Sequence, residues 1–127
     1  MRYADVEKFC LSLPGTSVDT PWGDSRVYKV GGKMFAMLAY GDGDRPAGIW
    51  FKAGEASFEI LTRIKGIEPC PYLARAKWVA MDGIKALKPN ELREYLKRAH
   101  ALVASGLSRK KRAALGIAEP ALANPFD

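Results

Sequence analysis

The chain has 127 residues, with 20 Lys and Arg against 14 Asp and Glu, a single His and a formal net charge of +6. This length suits one domain with one hydrophobic core. A content of 48% hydrophobic and 27% charged residues is ordinary for a globular protein and does not favour a disordered chain. No apolar run approaches the roughly 20 residues of a membrane helix, and residues 1–5 lack the order of a signal peptide, so we expect a cytoplasmic protein.

The first predicted element is an amphipathic helix that stops before residues 14 and 15. Apolar side chains recur there at i, i+3, i+4 and i+7, at Val6, Phe9, Cys10 and Leu13. Pro14 cannot continue a helix, and Gly15 tolerates a positive φ. Because Cys10 lies on the apolar face, we interpret it as a buried hydrophobic residue rather than a reactive thiol.

Three short strands are predicted next, over residues 27–30, 34–39 and 49–52. Gly31 and Gly32 separate the first two strands and predict a tight hairpin turn with positive φ. Residues 41–48 form a turn-rich loop whose Asp42 and Asp44 suggest a calcium loop. Position 12 of such a loop would be Ala53 instead of glutamate, so we expect no metal there.

A second helix is predicted over residues 55–64, followed by strands over 70–73 and 78–81 around a tip at residues 74–77. The clearest helix covers residues 89–105, from the proline and asparagine at its start to the glycine beyond its end. Arg93, Lys97 and His100 lie along one flank of its apolar stripe, where a solvated surface is the common role. The element order predicts a two-layer α+β domain of order α-β-β-β-α-β-β-α, with helices packed on one face of an antiparallel sheet.

Positive charge is concentrated in the second half of the chain. Residues 1–60 carry 7 Lys and Arg against 8 Asp and Glu, whereas residues 61–127 carry 13 against 6. The run Arg109, Lys110, Lys111 and Arg112 lies in a basic tail, residues 107–127, beyond a core of about residues 3–106, within a single domain. We expect this run to be exposed to solvent. Such a surface attracts polyanions, although scattered charge that only aids solubility is the alternative.

The residues offer little support for catalysis. The single histidine makes any nucleophile and base arrangement depend on one helix residue, and Cys10 and Cys70 lack metal-ligand spacing. The segment that contains Gly31 and Gly32 is a hairpin turn rather than a phosphate-binding loop between strand and helix. We therefore expect a protein that is not an enzyme and holds neither a cofactor nor a metal.

Three segments resemble one family of small bacterial proteins: Leu-Pro-Gly at residues 13–15, Asp-Thr-Pro-Trp-Gly at 19–23, and the strand pair containing Val-Gly-Gly-Lys-Met-Phe-Ala at 30–36. They are similar to the corresponding segments of the MmcQ/YjbR-like family, and the resemblance extends over residues 3–112. It implies the same α+β order and a "double wing", two hairpins proposed to contact DNA, which would lie here at residues 41–48 and 73–78. The fold is also similar to that of secretion chaperones and frataxin-like proteins.

The second wing carries the residues that fit a phosphate-binding role. Where the family often has Asn-Lys-Lys-His-Trp, this chain has Ala74, Arg75, Ala76, Lys77 and Trp78. Losing the asparagine argues against reading base edges. The first wing has two aspartates against one arginine, which argues against a symmetric two-wing grip.

The candidate nucleic-acid-binding residues combine the second wing, the flank of the last long helix and the basic run: Arg75, Lys77, Trp78, Arg93, Lys97, Arg109, Lys110, Lys111 and Arg112. Trp78 is a candidate for base stacking, with a core anchor as the commoner role of a strand tryptophan. The alternative function is a chaperone-like or adaptor module that binds an acidic protein partner. Iron binding of the frataxin kind is disfavoured, because the first helix offers only Asp5 and Glu7 beside Lys8.

Overall fold

The computed structural model describes residues 1–21, 25–40 and 46–117. Four helices are present in these ranges: α1 (Tyr3–Ser12), α2 (Glu55–Leu61), α3 (Pro89–Ser105) and α4 (Arg109–Ala114). Six strands accompany them: β1 (Thr16–Asp19), β2 (Arg26–Val30), β3 (Lys33–Tyr40), β4 (Pro46–Lys52), β5 (Ile67–Pro69) and β6 (Trp78–Asp82). None of the described helices is both long and apolar enough to cross a bilayer.

The strands form one antiparallel sheet in the order β1-β2-β3-β4-β6-β5. Helices α1, α2 and α3 each bury apolar residues in a common core on one face of this sheet. The buried core includes Val6, Phe35, Leu61, Leu92, Leu96 and Val103, with Phe9 and Leu13 packed against it. The predicted two-layer α+β domain is confirmed.

The stripe of α1 and the glycine hairpin agree with the sequence interpretation. Cys10 is fully buried in the core, and burial raises the pKa of its thiol to about 12, so it remains protonated. Gly31 and Gly32 have φ of 61° and 82°, which is the positive backbone conformation that a two-residue hairpin turn requires. Both glycine predictions are therefore confirmed.

Several predicted boundaries were wrong. Residues 16–19 form an unpredicted edge strand, β1, because pairing with β2 organises a segment whose own pattern is weak. Helix α2 ends at Leu61 rather than at residue 64. The strand predicted at residues 70–73 lies earlier, at Ile67–Pro69, and residues 70–77 instead contain a 3-10 turn at Ala74–Ala76.

Helix α3 has the predicted bounds, but the role expected for His100 was wrong. His100 is only 6% exposed, and its Nε2 lies 2.7 Å from the carbonyl oxygen of Pro14. Its ring and that of Phe35 pack edge to face, with the ring centroids 5.3 Å apart. It therefore fastens α3 to the turn after α1 instead of lying on a solvated flank.

The packing continues beyond α3 into the segment expected to be a basic tail. Leu107 is 6% exposed and belongs to the core, and Leu115 and Ile117 pack against it. Residues 107–117 are thus part of the folded unit, while residues 118–127 lie outside the described ranges.

Candidate functional site

One end of the sheet brings together cations from separate segments of the chain. β3 begins and β4 ends at this end, because Ala36 pairs with Phe51 in an antiparallel register. β6 begins there as well, since Lys52 pairs with Trp78. The turn between β2 and β3 closes the same end. We call it the basic end; it carries Lys33, Lys52, Arg75, Lys77, Arg109, Lys110, Lys111 and Arg112.

Helix α4 reaches the basic end because its flanking residues dock on two turns. Leu107 packs on Gly31, and Leu115 contacts Gly15. Gly15 precedes β1, whose first residue pairs with the last residue of β2. Ser108 caps the helix by accepting a hydrogen bond from the amide of Lys111 at 3.1 Å. The basic run is therefore an ordered helix at the β1–β2 corner.

The four cations of α4 have different surroundings. Arg109, Lys110 and Lys111 are exposed, as the sequence predicted. Arg112 is only partly exposed, and its guanidinium donates to the carbonyl oxygens of Leu107 and Ser105. Ser105 is the last residue of α3 and Leu107 lies between α3 and α4, so Arg112 stabilises the junction between the two helices.

The segment of residues 70–77, between β5 and β6, is tied down by its backbone. Cys70 donates to the carbonyl of Trp78 at 3.1 Å, and Trp78 donates to that of Leu73 at 3.2 Å. The ammonium of Lys52 donates to the carbonyl of Ala76 at 3.0 Å, which links the end of β4 to the 3-10 turn. This segment is an anchored turn rather than a projecting β-hairpin tip.

Arg75 and Lys77 lie on this anchored turn with unequal exposure. Arg75 is exposed to solvent. Lys77 is half-buried, has a left-handed backbone at φ 62°, and holds its ammonium 4.9 Å from the centre of the Phe58 ring. Both contribute positive charge to the basic end, but Arg75 is the more accessible donor.

Trp78 is an anchor of the outer sheet face. Its side chain is 3% exposed and packs with Cys70 and Ala80, next to the half-buried Trp50. A base cannot stack on a ring that is already covered, so Trp78 is not available as a stacking residue and has the core role expected to be the commoner one for a strand tryptophan. Burial also raises the pKa of the Cys70 thiol to about 12.

The remaining candidate cations lie on α3. Arg93 is partly buried and donates to the side-chain oxygen of Asn90 at 2.9 Å, and Lys97 is exposed. They share a flank with His100, whose contact is with Pro14 after α1. This flank belongs to the helical layer, and we keep it apart from the basic end.

The two predicted wings leave opposite ends of the sheet. β3 ends at Tyr40 and β4 begins at Pro46, at the end away from Lys33 and Lys52. Residues 41–45 of that connection lie outside the described ranges, as do the Asp42 and Asp44 of the calcium hypothesis. The wing expected at residues 73–78 starts from the basic end, so the two expected wings do not start from the same end of the sheet.

The most exposed aromatic residue of the basic end was not among the predicted site residues. Tyr72 is fully exposed, at 102% of its reference area, and has φ of 65°. It was assigned to the interior of a predicted strand. The available signal was Pro71, which cannot donate to a sheet ladder and so favours a turn at this point.

A second polar cluster is formed by one residue of α1 and two of β2, and its charged groups pair with each other. The carboxylate of Glu7 accepts hydrogen bonds from the Arg26 guanidinium, at 2.7 Å for the Nη2 contact, and from the Tyr28 hydroxyl at 2.8 Å. The Arg26 hydrogen bond holds the pKa of Glu7 below its usual value, against the effect of desolvation. Glu7 and Arg26 of this cluster line a groove of about 790 Å³, where they are paired with each other.

No group of three or more side chains with metal-ligand chemistry is found within residues 1–21, 25–40 and 46–117. Cys10 and Cys70 are both buried and free. The features of the basic end are thus cationic and aromatic.

Comparisons with known proteins agree with this fold. The chain is similar to the crystal structure of Deinococcus radiodurans protein DR2400, whose domain is designated DUF419, with a TM-score of 0.79, 23% identity, and coverage of 99% of this chain and 94% of that one. It is also similar to a protein from Pseudomonas syringae, with a TM-score of 0.65, 19% identity, and coverage of 81% and 99%. Among curated protein sequences, nothing matches. The model of the YjbR family matches residues 11–102, most of the chain, and we conclude that this protein belongs to the YjbR family.

Proposed function

We propose that this protein is a non-catalytic nucleic-acid-binding protein that contacts phosphates through the basic end. One observation carries the proposal: eight cations from four separate segments share this end. Glu55 is the acidic residue within the described segments that form it, which are residues 13–16, 30–33, 52–56, 70–77 and 105–117. A surface of one sign raises the local concentration of a polyanion and favours phosphate contacts.

The dimensions of the basic end support contact with several phosphates. Neighbouring strands lie about 4.8 Å apart, so the ends of β2, β3, β4 and β6 span about 14 Å. The cations follow this row, from α4 at the β1–β2 corner through Lys33 on β3 and Lys52 on β4 to Arg75 beyond β6. Phosphates on one strand of B-form DNA follow one another at about 3.4 Å along the helix axis. A row of cations about 14 Å long therefore spans about four phosphates.

The composition of this end favours binding without strong sequence preference. Asn and Gln, the side chains suited to adenine, are absent from the described segments that form it. Ammonium and guanidinium groups contact phosphates on any sequence. Affinity is therefore expected to depend on salt more than on sequence.

Fluorescence anisotropy with duplex DNA at several salt concentrations tests the proposal. If four to six phosphates are contacted, log K falls against log salt with a slope of about −4 to −5. Replacing Arg75 and Lys110 together with Gln should make this slope shallower by about 2. Replacing Lys65 and Lys85 with Gln removes the same charge from exposed positions near the opposite end of the sheet and should leave the slope unchanged.

Two results would contradict the proposal. The first is no binding to duplex DNA, single-stranded DNA or heparin at about 50 mM salt, where electrostatic contacts are strong. The second is an equal loss in both double variants, which would assign binding to net charge alone. In the first case the alternative, an adaptor that uses the same cations to bind an acidic protein, becomes the working hypothesis.

A further inference from the structure

Tyr72 combines two properties that folding does not explain. Its side chain is fully exposed, so it contributes no packing to the domain. Its backbone lies at φ 65°, a conformation that costs an ordinary residue free energy and costs glycine almost none. A bulky aromatic residue in that position lowers stability locally, which points to a role outside the fold.

The segment under Tyr72 holds it in place. The neighbouring Cys70 is 1% exposed and donates its amide to the carbonyl of Trp78, itself 3% exposed. On the other side, the Leu73 amide donates to the carbonyl of Cys70 at 3.2 Å. Tyr72 is therefore an exposed ring on an anchored turn, and contact with a ligand would order little additional chain.

Two cations lie on the turn that carries Tyr72 or are hydrogen-bonded to it. Arg75 is exposed three residues later on the 3-10 turn, and Lys52 is hydrogen-bonded to that turn through the carbonyl of Ala76. An exposed aromatic face beside guanidinium and ammonium groups can stack a base while the cations contact its phosphates. In a duplex the base faces are stacked on each other, so such a face selects unpaired nucleotides.

We propose that Tyr72 is a stacking platform for an unpaired base, so that the basic end prefers single-stranded to double-stranded nucleic acid. This inference rests on the proposed function and adds its substrate class. The phosphate contacts supply affinity for any nucleic acid, and the Tyr72 ring supplies the difference between single strands and duplexes.

Three probes and three variants separate the two contributions. The probes are a fluorescein-labelled oligothymidylate of about 15 nucleotides, a strand of the same length with abasic residues, and a duplex of that length. The variants are Tyr72→Ala, Tyr72→Phe and Tyr72→Gly. Tyr72→Gly is the control for folding. Glycine adopts φ 65° without steric strain, so this substitution should leave the melting temperature unchanged or raise it.

We expect Tyr72→Ala and Tyr72→Gly to weaken binding of oligothymidylate about 5- to 150-fold, the range that corresponds to the loss of one stacked base. Tyr72→Phe retains the ring and should bind within about twofold of the wild type. Binding of the abasic strand and of the duplex should not change in any of the three variants. The slope against salt should also remain that of the wild type, because no charge is removed.

Equal affinity of wild type and Tyr72→Ala for oligothymidylate, with duplex binding intact, would overturn the platform and leave the proposed function standing. An equal loss for oligothymidylate and the abasic strand would also overturn it, because the ring would then act on the backbone rather than on a base. Absence of binding to all three probes by the wild type would overturn the proposed function and this inference together.

Discussion

The side chain of Leu107 lies against Gly31, so that a Cβ placed on Gly31 would be 2.6 Å from the Leu107 Cδ1. Gly31 joins β2 to β3, and Leu107 follows the last turn of α3. This contact closes the helical layer over the end of the sheet and sets the position from which α4 begins. The neighbouring Gly32 has nothing within 4 Å of its equivalent Cβ position.

The two glycines should therefore differ in their tolerance of alanine. Gly32→Ala carries only the cost of a positive φ, about 1–2 kcal/mol in the free energy of unfolding. Gly31→Ala adds a steric conflict with Leu107, and we expect a total of about 2–4 kcal/mol in urea denaturation. In a Leu107→Ala background the two substitutions should cost the same. Equal costs in the wild-type background would show that Leu107 moves aside freely.

His100 should make the stability depend on pH below neutrality. Burial lowers the pKa of His100 from its usual value of 6.5, although the hydrogen bond to Pro14 opposes this shift. The unfolded chain then binds the proton more readily than the folded one. The contribution of neutral, buried His100 to the free energy of unfolding is therefore fully present above pH 6.5 and is lost as the pH falls below that value. Thermal unfolding between pH 7.5 and 5.5 checks this expectation.

The control for this pH dependence is His100→Gln, which retains a donor for the Pro14 carbonyl and does not titrate. Its melting temperature should vary less over the same interval. An unchanged slope would assign the pH dependence to other groups.

Truncating the core side of α3 should be costly. Leu96 is fully buried in the core shared with α1 and the sheet. Leu96→Ala should lower the free energy of unfolding by about 2–5 kcal/mol, because it leaves a cavity. The next residue, Lys97, is exposed, and Lys97→Ala should remain within about 0.5 kcal/mol of the wild type. A cost below about 1 kcal/mol for Leu96→Ala would mean that the core collapses around the missing side chain.

The cluster of Glu7, Arg26 and Tyr28 should stabilise the packing of α1 on β2. Glu7→Gln removes charge-assisted hydrogen bonds that are only partly exposed to solvent, and we expect a loss of about 1–2 kcal/mol. The folded pKa of Glu7 is lowered, so its contribution is present above the usual value of 4.5 and is lost as pH falls through the lower folded value.

Urea denaturation at pH 7 and in acid checks this prediction. The difference between wild type and Glu7→Gln should be large at pH 7 and shrink in acid, in a range separate from that of His100. A difference that persists unchanged at low pH would indicate that packing rather than charge holds α1 in place.

Local sequence patterns were sufficient to predict the elements whose conformation depends on neighbouring residues. The stripe of α1, the turn at Gly31 and Gly32, and helix α3 were predicted because helical spacing, positive φ and helix-capping residues are properties of a few neighbouring residues. The resemblance of residues 13–15, 19–23 and 30–36 also indicated the family that the match over residues 11–102 shows. Strand β1 was missed because its distant partner, β2, determines it.

The tertiary structure alone determines which cations come together at the basic end. Lys33 and Lys52 belong to the half of the chain without excess charge, and the register of β3, β4 and β6 brings them to the same end as Arg75 and Lys110. The exposure of Tyr72, the burial of Trp78 and the hydrogen bonds of Arg112 likewise depend on which segments pack together. A sequence determines how much charge and aromatic surface a protein has, but pairing between distant strands determines which groups face one ligand, because register is fixed only when the sheet assembles.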